Sequence, residues 1–135
     1  MFEVRTYAGT TKYVPEWLGN REAWKKNQPF FYVDVLPLND TEFQSVHQAA
    51  KGTDDAQAQD FKIIETRIPA IYDLQFTGNN GTVLTPKKGA DLLNGVRENL
   101  DNARFVDLCR ELVLAAIKHS VLSEGELKGS SSSPG

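Results

Sequence analysis

Apolar and polar residues alternate along Phe2-Glu3-Val4-Arg5-Thr6-Tyr7, the period of a strand with one face buried. Ala8-Gly9-Thr10-Thr11 reads as the turn after it. A second strand is predicted at Phe30-Phe31-Tyr32-Val33-Asp34-Val35-Leu36, which is rich in aromatic and β-branched residues, and Pro37 ends it. Between these segments, Tyr13 to Gln28 follows neither the strand nor the helix period, beyond one helical turn expected at Glu22 to Lys26. Pro15 and Gly19 interrupt it, yet it carries Trp17, which looks exposed there.

From Asn39 onward the period changes. Asn39 or Asp40 is expected to cap a helix over Thr41 to Ala50, with Phe43, Val46, His47 and Ala50 on one face and Gly52 as its stop. Thr53 with Asp54 and Asp55 opens either another helix that reaches about Thr66 or, because Asp54 to Asp60 is very polar, a segment that stays largely loop until Phe61. Ile68 to Phe76 is read as one strand, Thr77-Gly-Asn-Asn-Gly81 as a turn, and Thr82-Val83-Leu84 as the return strand. Thr85 at the cap and Pro86 in the first turn predict a helix over Pro86 to Val96. Asp101 caps a last main helix over Asn102 to Ser120, with Phe105, Leu108, Cys109, Leu112, Val113, Ala116 and Ile117 on one broad face. Ser123 and Glu126 stand at capping-box spacing after it.

Strands first and helices later define an α+β class. The expected architecture is a small antiparallel sheet of three to four strands packed with three to four helices, and a mainly helical C-terminal half. The chain has 135 residues, enough for one domain, placed at 1–128. The Gly/Ser-rich stretch 129–135 is expected to be disordered. Fifteen basic and 18 acidic side chains give a net charge of −3, which offers no basic face for nucleic acid. The longest apolar run, Leu112 to Ile117, is far shorter than a bilayer span. No basic segment leads into an apolar run near Met1, so no signal peptide is expected. Cys109 is the single cysteine, which excludes an internal disulfide and suits a reducing compartment.

Candidate chemistry is sparse. His47 and His119 lie on separate helices, with no ligand spacing around either, so no metal is expected. Cys109 belongs to an apolar helical face and reads as a core residue. The glycine turn at 77–81 lacks the Lys-Ser/Thr and helix start of a phosphate loop. Asp54, Asp55 and Asp60 do not follow the alternation of a calcium loop. No catalytic constellation, cofactor or metal is therefore expected. Lys87 and Lys88 at a helix start oppose the helix dipole and either are solvated or face a partner.

Two segments remain as candidate binding surfaces. One is the Tyr13–Glu22 loop with the aromatics after it, where Tyr13 and Trp17 either cover the sheet edge or meet a partner. The other is the Leu112–Ile117 stretch, apolar around nearly the whole helix, which is buried in its own core or partly by another chain. Tyr13, Trp17, Arg21, Trp24, Leu114 and Ile117 are the candidate partner-binding residues.

The segment Tyr13-Val14-Pro15-Glu16-Trp17-Leu18-Gly19-Asn20-Arg21-Glu22 resembles an opening shared by small tail assembly chaperones of long-tailed bacteriophages. The similarity continues in the strand at Phe30 to Leu36. It resumes from Thr77 through Thr85-Pro86 to the apolar helix and the ending Ser120-Val-Leu-Ser-Glu-Gly-Glu-Leu-Lys128. The resemblance implies a non-enzymatic protein of the infected host's cytoplasm. It would bind the tape measure protein, keep it soluble, help tail-tube subunits assemble around it, and be absent from the mature virion. Self-association is a further expectation. The alternative is a virion structural protein, such as a tail-completion or head–tail joining subunit.

Overall fold

The computed structural model describes residues 9–48, 54–78, 80–98 and 100–132. The strand expected at Phe2 to Tyr7 lies outside them. Strand β1 (Thr11–Tyr13) begins inside the expected turn and pairs antiparallel with β2 (Tyr32–Val35), Lys12 opposite Asp34. β2 pairs antiparallel with β3 (Ala70–Tyr72), Tyr32 opposite Tyr72, giving the sheet order β1-β2-β3. A separate two-stranded ribbon joins β4 (Phe76–Thr77) to β5 (Val83–Leu84). The Ile68–Phe76 segment is thus two strands rather than one. Asp73, at φ 62, takes the left-handed conformation and breaks the run between them.

Among the described residues, five α-helices complete an α+β fold: α1 (Asn20–Lys25), α2 (Asp40–Gln48), α3 (Asp54–Arg67), α4 (Gly89–Asn94) and α5 (Asn102–Ser132). A 3-10 turn at Trp17–Gly19 precedes α1, so the loop is more regular than its sequence suggests. Asn39 caps α2 in a full capping box. Its Oδ1 accepts the Glu42 amide at 2.8 Å, and Glu42 Oε1 accepts the Asn39 amide at 3.0 Å. Glu42 also pairs with Arg67 at the end of α3, which fastens the two helices together.

The expected helix start at Thr85-Pro86 does not form. Lys87 O accepts the Ile71 amide at 2.8 Å, so the chain runs extended beside β3 until Lys88. There the Asp91 carboxylate accepts the Lys87 amide at 2.9 Å, and α4 begins at Gly89. Gly89 lies hard against α3. A Cβ there would stand 1.9 Å from the Ile64 carbonyl oxygen, so only glycine permits this approach.

Helix α5 forms the centre. Phe105, Leu108, Cys109, Leu112, Val113 and Ala116 recur at helical spacing and are buried. They meet Ile63, Ile64 and Ile68 around α3, Leu92 and Val96 near α4, and Val33, Val35 and Ile71 from the inner face of the sheet, all in one core. α5 continues to Ser132, through the expected stop at Ser120 and the capping-box spacing of Ser123 and Glu126. Leu122, Glu124, Glu126, Leu127 and Lys128 are good helix formers that carry the helix past Gly125, and the next proline is Pro134. Residues 129–132 of the Ser-rich stretch lie on this helix, and 133–135 are outside the described residues.

Candidate functional site

The Tyr13–Glu22 segment is bound to α5 by one carboxylate. Glu111 Oε2 accepts the Tyr13 hydroxyl at 2.6 Å and the Glu16 amide at 2.6 Å, while Oε1 accepts the Trp17 amide at 3.1 Å. The amides of Glu16 and Trp17 are free donors because they open the 3-10 turn. A side chain from a distant helix thus caps this turn. Burial, then the hydrogen bond to Glu111, push the Tyr13 phenol up to about 12.

Trp17 turns inward. Its indole packs edge-on against Phe31 at 6.3 Å between centroids and lies 6.1 Å from Phe76. Its Nε1 donates to Arg104 O at 2.9 Å, and 9% of the residue stays accessible. Trp17 looks exposed in the sequence, but of the two roles open to it the structure has the one in which it covers the sheet edge. The indole seals the core between the sheet edge and α5, because only there do its large apolar surface and its single N–H both find partners.

The rest of the string is used in the same way. Asn20 is a buried polar residue whose side chain donates to Pro15 O and Phe31 O, both at 2.9 Å, and accepts the Phe31 amide at 2.8 Å. This closes the loop into a rigid ring. Arg21 donates to Val14 O at 2.9 Å and to Glu16 Oε1 at 2.6 Å, and its guanidinium lies 5.4 Å from the Tyr13 ring. Tyr13, Trp17 and Arg21 therefore come together, but as parts of the loop's own scaffold.

Leu18 is the exception. It adopts φ 49 and ψ 36, a left-handed conformation that disfavours leucine, and it is 64% exposed. The following Gly19, at φ 78, takes the same region without strain.

A second surface covers the outer face of the sheet. Trp24 lies 6.2 Å from Phe30, and Phe30 lies 6.2 Å from Tyr32. Tyr32 stacks on Tyr72 at 4.6 Å. The Lys12 ammonium sits 4.2 Å from the Tyr32 ring centre. Tyr72 donates its hydroxyl to Asp34 at 2.9 Å, which raises the phenol's pKa. Trp24 is 44% exposed and Tyr72 39%. Strand alternation placed Tyr32 and Asp34 opposite the buried Val33 and Val35. The register with β3, invisible in sequence, adds Tyr72 to the row.

Of the helical candidates, Leu114 is 54% exposed on α5, whereas Ile117 is partly buried against the core. The Leu112–Ile117 stretch therefore leaves one side open, at Leu114. His119 also belongs to the N-terminal contact. Its Nε2 donates to Gly9 O at 3.1 Å, leaving Nδ1 to accept the Thr11 hydroxyl at 3.1 Å. The side chain of His47 is outside the described residues. Burial pushes the Cys109 thiol up to about 12, which keeps it un-ionised and unreactive, in line with a core role.

Among the described residues, no group of three or more His, Cys, Asp or Glu side chains could hold a metal ion. No described helix is long and apolar enough to cross a membrane. Comparison with protein-family models, with curated proteins and with solved structures returns no match.

Proposed function

We propose that this chain is a non-enzymatic tail assembly chaperone that binds and solubilises the tape measure protein of a long-tailed bacteriophage during assembly. The observation that carries the reading is the aromatic row Trp24, Phe30, Tyr32 and Tyr72 on the open face of the sheet. Rings are costly to leave in water and give sequence-tolerant contact area, which suits holding a long apolar client. The resemblance around Trp17-Leu-Gly-Asn-Arg-Glu22 supports the same reading at one remove. That string builds the rigid loop from which α1 and Trp24 extend.

Co-expression with a tape measure protein of a long-tailed bacteriophage, followed by pull-down, tests the proposal. Replacing Trp24 and Tyr72 together by alanine should reduce captured client several-fold while the melting temperature falls by no more than about 8 °C. Capture that is unchanged in this variant counts against the aromatic row. Stoichiometric presence of the chain in purified virions would favour the structural-subunit alternative.

A further inference from the structure

The three-stranded sheet is covered by α5 on one face. Val33, Val35 and Ile71 point to that side and share a core with Leu108, Leu112 and Val113. The opposite face carries the aromatic row. Lys12, Trp24 and Tyr72 are exposed there, and Phe30, Tyr32 and Asp34 are half-buried among them.

The shape of this face limits what can cover it. Tyr32 has the stacked ring of Tyr72 on one side and the Lys12 ammonium on the other, because β3 and β1 flank β2 from opposite sides. Both of its ring faces are taken, so a flat ligand such as a sugar or a base finds no platform on it. An extended segment joins a sheet at an edge, through backbone hydrogen bonds, and not across a face. Faces are covered by helices or by a second sheet. Three strands of three or four residues make a face about 10 Å wide and about 10–13 Å long. That is the width of one helix and about two of its turns.

The charges add a second condition. Lys12 stands directly opposite Asp34 in the pairing of β1 with β2, yet the two form no ion pair. The ammonium lies 4.2 Å from the Tyr32 ring centre and 5.7 Å from that of Phe30, while the Asp34 carboxylate accepts the Tyr72 hydroxyl at 2.9 Å. Among the described residues Lys12 has no carboxylate partner, and it stands between two rings of the row. A carboxylate brought over this face would meet the ammonium where the rings exclude water.

We infer that the outer face of the sheet takes one amphipathic helix, its apolar stripe on Trp24, Phe30, Tyr32 and Tyr72 and an acidic residue of its flank against Lys12. The inference rests on the chaperone reading for the source of that helix, a segment of the tape measure protein.

Fluorescein-labelled peptides of about 18 residues, titrated with the full chain and read by anisotropy, test it. Two carry leucine at helical spacing on one face, flanked by glutamates in one peptide and by lysines in the other. A third has the composition of the glutamate peptide in strict strand alternation. The glutamate helix should bind about tenfold tighter than the lysine helix, and that margin should shrink in about 0.5 M salt. K12Q should abolish the preference and K12E should reverse it. W24A and Y72A should each weaken both helical peptides several-fold. Equal affinity for the strand-patterned peptide overturns the helix, and a preference that survives K12Q overturns the ion pair. Helical binding that ignores W24A and Y72A lies elsewhere on the molecule and overturns the inference. Capture of the tape measure protein through Trp24 and Tyr72, with neither helical peptide bound, sinks the inference while the chaperone reading stands. Peptide binding as expected, without capture of the tape measure protein, upholds the helix site and sinks that reading.

Discussion

The Tyr13 hydroxyl and the Glu111 carboxylate meet at 2.6 Å across 98 residues of sequence. The same carboxylate takes the amides of Glu16 and Trp17, so one side chain satisfies three donors from the loop. Replacing Glu111 by alanine should leave those donors without their partner and cost about 2–3 kcal/mol, while Tyr13→Phe should cost about 1 kcal/mol. Urea titration of both variants checks this. Equal effects would mean that the phenol, and not the turn amides, carries the attachment.

Trp17 and Trp24 should separate cleanly on substitution. Trp17→Ala removes a buried indole between Phe31 and Phe76 and should cost about 3–5 kcal/mol, a fall of roughly 10–20 °C in melting temperature. Trp24→Ala should change stability by less than about 1 kcal/mol, since its ring is half in water. Calorimetry of the two variants decides it. A mild Trp17→Ala would show that the loop can re-seal the core without the indole.

The packing of α4 on α3 depends on a missing side chain. Gly89→Ala would push a methyl group to 1.9 Å from the Ile64 carbonyl oxygen, so the helices must move apart. The expected loss is about 2–3 kcal/mol. Gly78→Ala, where the nearest atom is the Asn80 side chain at 3.1 Å, should cost much less and serves as the comparison.

Acid should weaken the junction of α2 and α3. Burial alone would raise the Glu42 carboxyl, but hydrogen bonds from Arg67 and Asn39 outweigh it and hold the pKa below its ordinary 4.5. A depressed folded value means that this stabilisation is fully present above about 4.5 and is lost as pH falls through the folded pKa. Glu42→Gln should flatten that part of the stability–pH curve and cost about 1–2 kcal/mol at neutral pH. Urea midpoints measured from pH 6 downward test this, and an unchanged slope would assign the acid sensitivity to other carboxylates.

Local rules made much of the fold legible. The Asn39 cap, the α3 span, the turn around Gly78 to Gly81 and the apolar face of α5 each follow from neighbours a few residues apart. What stayed hidden depends on distant partners. Trp17 looked exposed because nothing nearby in sequence covers it. Its cover comes from Phe31, Phe76 and Arg104, and its turn is capped by Glu111. Thr85-Pro86 has the local grammar of a helix start, yet the Ile71 amide draws Lys87 into extended pairing and delays the helix to Gly89. The aromatic row was half legible. Trp24, Phe30 and Tyr32 stood out as aromatics after the loop, but only the register with β3 brings Tyr72 onto the row.

The attachment of the loop to α5 also dictates an order of events during synthesis. Tyr13 emerges from the ribosome 98 residues before Glu111, a delay of roughly 5–20 s at ordinary rates of translation. Over that interval Asn20 can already ring the loop to Phe31, but the indole of Trp17 has no helix to close against. The nascent chain therefore carries an unsealed aromatic until its last long helix is made, and any truncation before Glu111 leaves it so.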